Sequence, residues 1–143
     1  MPSVARGLSK YLRLDSELNT AVGGRIYPEE LPRTENKQMP RPAIVLGMAP
    51  GGGAFGKVNN FGDRMVDVMV YGQSLAEARN IYDDLVRPRL KNLQRVVVAD
   101  SDDTAILIHW AHIASDGSTG RDPSTDWPVC GSTWQVLAAE VPA

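Results

Sequence analysis

Arg64-Met65-Val66-Asp67-Val68-Met69-Val70-Tyr71 decides how this chain folds. Side chains of an extended strand alternate between two faces, so Val66, Val68 and Val70 share one face. Met65, Asp67, Met69 and Tyr71 share the other. A row of β-branched residues on one side predicts a strand packed on a core. Directly after it, Ser74-Leu75-Ala76-Glu77 reads as a capping box, in which the serine hydroxyl and the Glu77 carboxylate satisfy free amides of a helix start. Leu75, Ala78, Tyr82, Leu85 and Val86 then form an apolar helical stripe. Pro88 predicts a kink or an end near Arg87, since the residue before proline avoids helical geometry, with a short continuation toward Leu93.

Toward the N-terminus, Val4, Leu8, Tyr11 and Leu12 recur at helical spacing and predict a helix over Ser3–Leu14. Asp15 caps a second short turn, Ser16–Val22, whose Leu18 and Val22 face inward. Gly23-Gly24 ends it, because glycine tolerates the left-handed geometry of a helix terminus. Arg25–Arg41, with Pro28, Pro32 and Pro40 among many charges, reads as a long surface loop. Pro42–Met48 is a compact apolar run, expected as a strand buried on both faces. Pro50–Gly62 is glycine-rich and irregular.

Toward the C-terminus, Val96-Val97-Val98 predicts a short strand and Asp100-Ser101-Asp102-Asp103 an acidic turn. Thr104–Ala114 is a long strand with apolar side chains on both faces. Asp116–Pro128 reads as a turn-rich loop, and Cys130–Ala139 returns as a strand. The order helix, strand, strand, helix, strand, strand predicts an α+β fold in a single domain covering 1–143. Its sheet is expected to be mostly antiparallel, with four to five strands and helices packed on one face.

The 143 residues suffice for one hydrophobic core, and 43% hydrophobic with 22% charged residues is ordinary globular usage. The apolar runs are too short for a membrane span, and no signal peptide is expected. A net charge of −2 argues against general binding to a nucleic-acid backbone, whose affinity comes from phosphate neutralisation. Cys130 is the only cysteine, which excludes an intrachain disulfide and a multi-thiolate zinc site.

Gly51-Gly52-Gly53-Ala54-Phe55-Gly56-Lys57-Val58 matches a phosphate-binding loop through its glycines and lysine. Val58 stands where a Ser or Thr hydroxyl would hold magnesium, and the chain runs on into the alternating strand rather than a helix. A hairpin tip accounts for the same glycines. His109 and His112, three apart on a strand, point to opposite faces unless an irregularity intervenes, so they do not form a metal pair. Asp100, Asp102 and Asp103 lack the calcium-loop pattern. Ser74 has a capping role and no base, and Cys130 has no histidine at a recognisable spacing. No catalytic residue, cofactor or metal ligand is expected; a nucleotide-binding protein using Gly51–Lys57 is the distant alternative. The long irregular segments favour contact with other proteins.

Leu18-Asn19-Thr20-Ala21-Val22-Gly23-Gly24-Arg25-Ile26-Tyr27-Pro28 resembles the N-terminal signature of the phage tail completion, or tail terminator, family. The proline-containing loop, the strand at Pro42–Val45, the valine-rich strand, the Ser-initiated helix, Asp116-Gly117 and Trp127-Pro128 follow in a similar order. The glycine-rich Pro50–Gly62 stretch and the long Gly117–Thr125 segment depart from the pattern. The resemblance implies a non-enzymatic virion protein of the tail or neck, assembled in the host cytoplasm as a homo-oligomeric ring of six. It would cap the head-proximal end of the tail tube, with the major tail tube protein and the head–tail connector as partners, and without membrane or sequence-specific nucleic-acid binding. A head-closure or adaptor protein of the same neck is the alternative. Candidate assembly-interface residues are Arg25, Tyr27, Arg33, Phe55, Lys57, Phe61, Arg121 and Trp127.

Overall fold

Leu8 and Leu12, one helical turn apart, are both fully buried, together with Ala5 and nearly all of Val4 and Tyr11. That stripe makes α1 (Val4–Arg13). The computed structural model describes residues 4–48, 61–99 and 104–142. Asp15 caps α2 (Ser16–Ala21), its Oδ1 accepting from the amides of Glu17 at 3.0 Å and Leu18 at 3.3 Å. Gly23 and Gly24 take φ of +59° and +75°, geometry that side chains with a Cβ resist, and turn the chain toward the sheet.

The segment expected to be one irregular loop instead contributes two elements, β1 (Ile26–Pro28) and α3 (Arg33–Asn36). Ile26 is fully buried, and backbone bonds from Ile44 to Arg25 (2.8 Å) and from Glu29 to Leu46 (2.7 Å) tie the short strand to β2 (Ala43–Met48). Three residues are too few for a periodic signal. β2 buries one face completely through Ile44 and Leu46, and the other in part, with Ala43 fully buried and Val45 half-buried.

β3 (Phe61–Tyr71) starts three residues before the alternating stretch. α4 (Leu75–Ile81) opens on the expected box, with Ser74 Oγ accepting from Glu77 N at 3.1 Å. The return bond goes to the amide of Gln73 (2.8 Å), one residue earlier than in the standard box. Leu75 falls outside the buried stripe and is 39% exposed. The helix survives Pro88 by widening ahead of it. Tyr82–Val86 is a π-helical turn in which Arg87 N–H reaches back five residues to Tyr82 O, and α5 (Arg87–Lys91) continues. Proline lacks a donor and its ring crowds the carbonyl four residues back; a wider turn relieves both.

β4 (Gln94–Ala99), β5 (Thr104–Arg121) and β6 (Pro128–Pro142) complete one sheet of order β1-β2-β3-β6-β5-β4. Among the described residues six strands are present rather than four to five, and β1 pairs parallel to β2 while the other pairs are antiparallel. The expected Asp116–Pro128 loop shrinks to residues 122–127, because β5 runs on past its apolar part. Register shifts between Ile108 and Trp110, Ile113 and Ser115, and Ser115 and Ser118 carry it through residues that break alternation. The first shift falls at His109, so the simple two-face argument for the histidine pair does not apply there.

The helical stripes and one sheet face form a single buried cluster, with Val66, Val68, Val70, Cys130, Trp134 and Val136 from the sheet. Trp134 is fully buried and donates through Nε1 to Ser132 Oγ at 3.0 Å, which satisfies the indole inside the core. Where β5 bulges, Gly117 lies so close to the helix that a Cβ there would sit 2.5 Å from Tyr82 Cε2 and 3.0 Å from Cys130 Sγ. Both neighbours are fully buried and cannot step aside cheaply. Gly117→Ala is expected to destabilise the fold by about 1–3 kcal/mol in urea unfolding, the range for overpacked cores; an unchanged midpoint would mean that the bulge does not hold this approach.

Candidate assembly interface

The charged segment after β1 is built around one buried acid. Glu35, on α3, is 6% exposed. Arg41 grips it with two bonds, Nε to Oε1 at 2.7 Å and Nη2 to Oε2 at 2.6 Å, the forked geometry that suits guanidinium to carboxylate. Arg25 stands 3.5 Å from the same carboxylate while its Nε donates to Pro42 O at 2.7 Å. The Arg41 bonds, aided by the Arg25 charge, hold the Glu35 carboxyl below its ordinary range even though burial pushes the other way. Both ends of the proline-rich segment are therefore pinned, and Glu29, Glu30 and Arg33 are presented outward.

The base of the β5–β6 hairpin is fixed in a similar way. Tyr71 donates to Asp122 Oδ2 at 3.2 Å, and its ring meets Trp127 edge-on at 5.9 Å between centroids. Asp122 also accepts from the hydroxyl and amide of Ser124 at 2.7 and 2.9 Å, and Arg121 donates to Asp126 O at 3.0 Å. On the helical side, Asp116 Oδ1 accepts from Tyr82 (2.8 Å) and Gly117 N (2.8 Å), with Arg87 Nε at 3.2 Å. Arg79 donates to Gly117 O at 2.7 Å. Burial first, and the adjacent carboxylate second, push Tyr71 and Tyr82 up to about 12. Hydrogen bonds pull Asp116 and Asp122 down, mainly from Tyr82 and Ser124 respectively. Each pair is a phenol donating to an ionised carboxylate across the neutral range, which is a strut rather than an acid–base pair. Burial likewise raises the Cys130 thiol, so it stays protonated and unreactive.

The sheet face opposite the helices carries Val45, Met65, Met69, Leu107, Trp110 and Leu137, all half-buried. Cross-strand pairs join Val45 with Met69 and Trp110 with Leu137, and between these two pairs the seam of β3 and β6 carries Gln135, Thr133 and Gly131. Its one described acid, Asp67, accepts from Thr133 Oγ1 at 2.7 Å, and His112 stacks on Trp110 at 4.3 Å. Met and Trp with few charges is the composition of interface cores.

The structure divides the sequence candidates into three groups. Arg25 and Trp127 are engaged in holding their own loops, and Tyr27 is half-buried in β1 beside β2. Arg33 and Arg121 are exposed at the surface, Arg121 while donating to Asp126 O. Phe55 and Lys57, with the phosphate-loop look-alike and the acidic turn Asp100–Asp103, lie outside the described residues. Phe61 is described only as backbone, opposite Ala139 at the start of β3. The Glu35–Arg41 clasp and the Met-rich sheet face were missed. A clasp across six residues and a proline loop has no local signature. The Met65 and Met69 face did have one, since a water-facing strand side rarely alternates methionine with a single acid.

No protein-family model matches the sequence, and no curated protein matches it. Among solved structures, the fold is similar to a chain of the "Virion of native gene transfer agent (GTA) particle". That similarity has a TM-score of 0.52 at 16% identity and covers 99% of this chain and 96% of that one. At this identity the likeness is one of fold, and it runs the full length of both chains. No helix among the described residues is long and apolar enough to cross a membrane.

Because the Glu35 carboxyl is held down in the folded state, its contribution is present above the unfolded carboxylate range and is lost as pH falls through its folded value. Glu35→Gln is expected to cost on the order of 1 kcal/mol at pH 7, discounted because both arginines reach water. The deficit relative to the parent should shrink toward pH 3. A deficit that is constant across pH, measured by urea unfolding and by amide exchange over residues 33–38, would contradict the clasp.

Proposed function

We propose that this chain is a structural protein of a tailed, phage-like virion. It acts as a ring subunit that closes the head-proximal end of the tail tube, stops tube polymerisation and offers a surface to the head connector. The full-length fold likeness to a chain of a gene transfer agent virion carries this reading, and the tail-completion-like sequence around Val22–Pro28 refines it to the terminator. The surface chemistry agrees. The loop after β1 and the base of the β5–β6 hairpin are tied by side-chain bonds, the second sheet face has the composition of a contact surface, and the tyrosine–aspartate pairs are struts. A head-to-tail ring needs two different contact patches on each subunit and two different ring faces, and a rigid α+β wedge with pinned loops can supply them.

A head-closure or adaptor role in the same neck is the second reading, favoured by the fact that the fold likeness is to a particle and not to one named component of it. A nucleotide-binding role is disfavoured because the chain is already a strand at Phe61, whereas a phosphate loop runs directly into a helix whose N-terminus faces the charge.

Deleting the gene from the virus that carries it separates these readings by electron microscopy. The terminator reading expects heads without tails beside tails of uncontrolled length. Normal-length tails next to filled, unjoined heads would instead indicate the adaptor role, and intact infectious particles would overturn both. Saturable micromolar binding of ATP by the purified protein would revive the nucleotide reading.

A further inference from the structure

Among the described residues three large hydrophobic side chains stand exposed: Leu14 at 66%, Val97 at 59% and Leu75 at 39%. The two most exposed sit in opposite electrostatic settings. Leu14 lies at the corner between α1 and α2, next to Asp15 and near Glu17, and these two acids line one shallow cleft together with Asp84 and a single cation, Arg89. The cations of that corner are engaged by the protein's own groups. Arg13 donates to Ile26 O, while the Arg89 guanidinium lies 4.4 Å over the Tyr11 ring and donates to Tyr11 O. What faces outward is an apolar knob flanked by carboxylates.

Val97 is the reverse. It projects from the middle of β4, an edge strand of the sheet. Residues 87–99 contain Arg87, Arg89, Lys91 and Arg95 and no Asp or Glu, in a chain whose net charge is −2. Arg87 is held by Asp116 and Arg89 by Tyr11, which leaves Lys91, at the end of α5, and Arg95, two residues before Val97 on β4, exposed. Asp100, Asp102 and Asp103 follow in sequence and lie outside the described residues.

We propose that these patches meet: the Val97, Arg95 and Lys91 edge of one copy of this chain docks on the Leu14, Asp15, Glu17 and Asp84 corner of a second copy. Each patch pairs one protruding apolar side chain with an excess of one charge, acidic at the Leu14 corner, where Arg89 is drawn onto Tyr11, and basic at the Val97 edge. Contact between them covers two exposed aliphatic groups and sets basic against acidic rims, the arrangement that fixes register and partner choice. Because the patches differ, the contact repeats from copy to copy and closes when its rotation closes. The inference rests on the ring reading and deepens it by naming the subunit contact.

Cysteine pairing tests it on the purified full chain, since Cys130, the only native cysteine, is fully buried. A mixture of Leu14→Cys and Val97→Cys proteins should, on mild oxidation, form the unlike disulfide in excess of both like pairs. The double variant should give a ladder of covalent oligomers. Arg95→Glu should weaken self-association about threefold or more at low salt, with recovery when the other copy carries Glu17→Lys. Equal like and unlike pairing, no cross-link, or indifference to charge reversal would overturn the contact. A ring seen by microscopy without the 14–97 linkage would sink this contact and spare the ring. A 14–97 linkage that stops at two copies would uphold the contact and contradict the ring.

Discussion

Helix α1 closes the sheet on itself, and most of the molecule is arranged around that fact. It lies across β1, β2, β3, β4 and β5 and so reaches both edge strands. Its apolar side fills the core through Leu8 and Leu12, while two of its cations deal with the edges. Arg13 donates to the carbonyl of Ile26 on β1, and Lys10 donates to the carbonyl of Ala99 on β4 at 2.7 Å. In β1 the carbonyl of Arg25 is taken by β2, so the next one, at Ile26, points away from the sheet and needs an outside donor. One helix thus supplies hydrophobic cover and saturates exposed edge carbonyls, which are otherwise templates for uncontrolled strand addition. Along the upper part of β5, past the end of β4, Arg79 makes the same kind of contact with Gly117 O.

With these edge carbonyls satisfied from within, contact with neighbours falls to side chains rather than to strand addition. The loop after β1 is held by Glu35 between Arg25 and Arg41, and the hairpin base by Tyr71, Asp122 and Trp127. Rigid loops lose little conformational entropy on association, so more of any contact energy appears as affinity. The methionine- and tryptophan-bearing sheet face adds apolar area with little charge to desolvate. These features suit a subunit that works by fitting against neighbours.

The parts of the fold that were legible in the sequence are those with period or punctuation. The valine alternation at Val66–Val70, the Asp15 and Ser74 caps, the glycine pair at Gly23-Gly24 and the α1 stripe each report a local rule, and each stands close to where it was read. Elements set by tertiary pairing were not legible. β1 is three residues held by partners on β2, and the far half of β5 is strand because β6 lies beside it, not because residues 114–121 favour extension. Pro88 was read correctly as a disturbance, yet a π turn absorbed it without ending the helix. For the candidate interface, Arg33 and Arg121 are at the surface, whereas the aromatic and arginine residues that stood out most, Trp127 and Arg25, are spent on internal struts. Sequence shows which side chains could make contacts but not which are already committed.

The most direct test of the central claim is to locate this chain in the assembled particle by single-particle cryo-electron microscopy of virions that carry it. The account predicts density for this six-stranded fold as a closed ring between the last tail-tube ring and the head connector, with its pinned loops and its methionine- and tryptophan-bearing sheet face against neighbouring protein. Finding the fold elsewhere in the particle, as isolated copies, or not in the particle at all would contradict it.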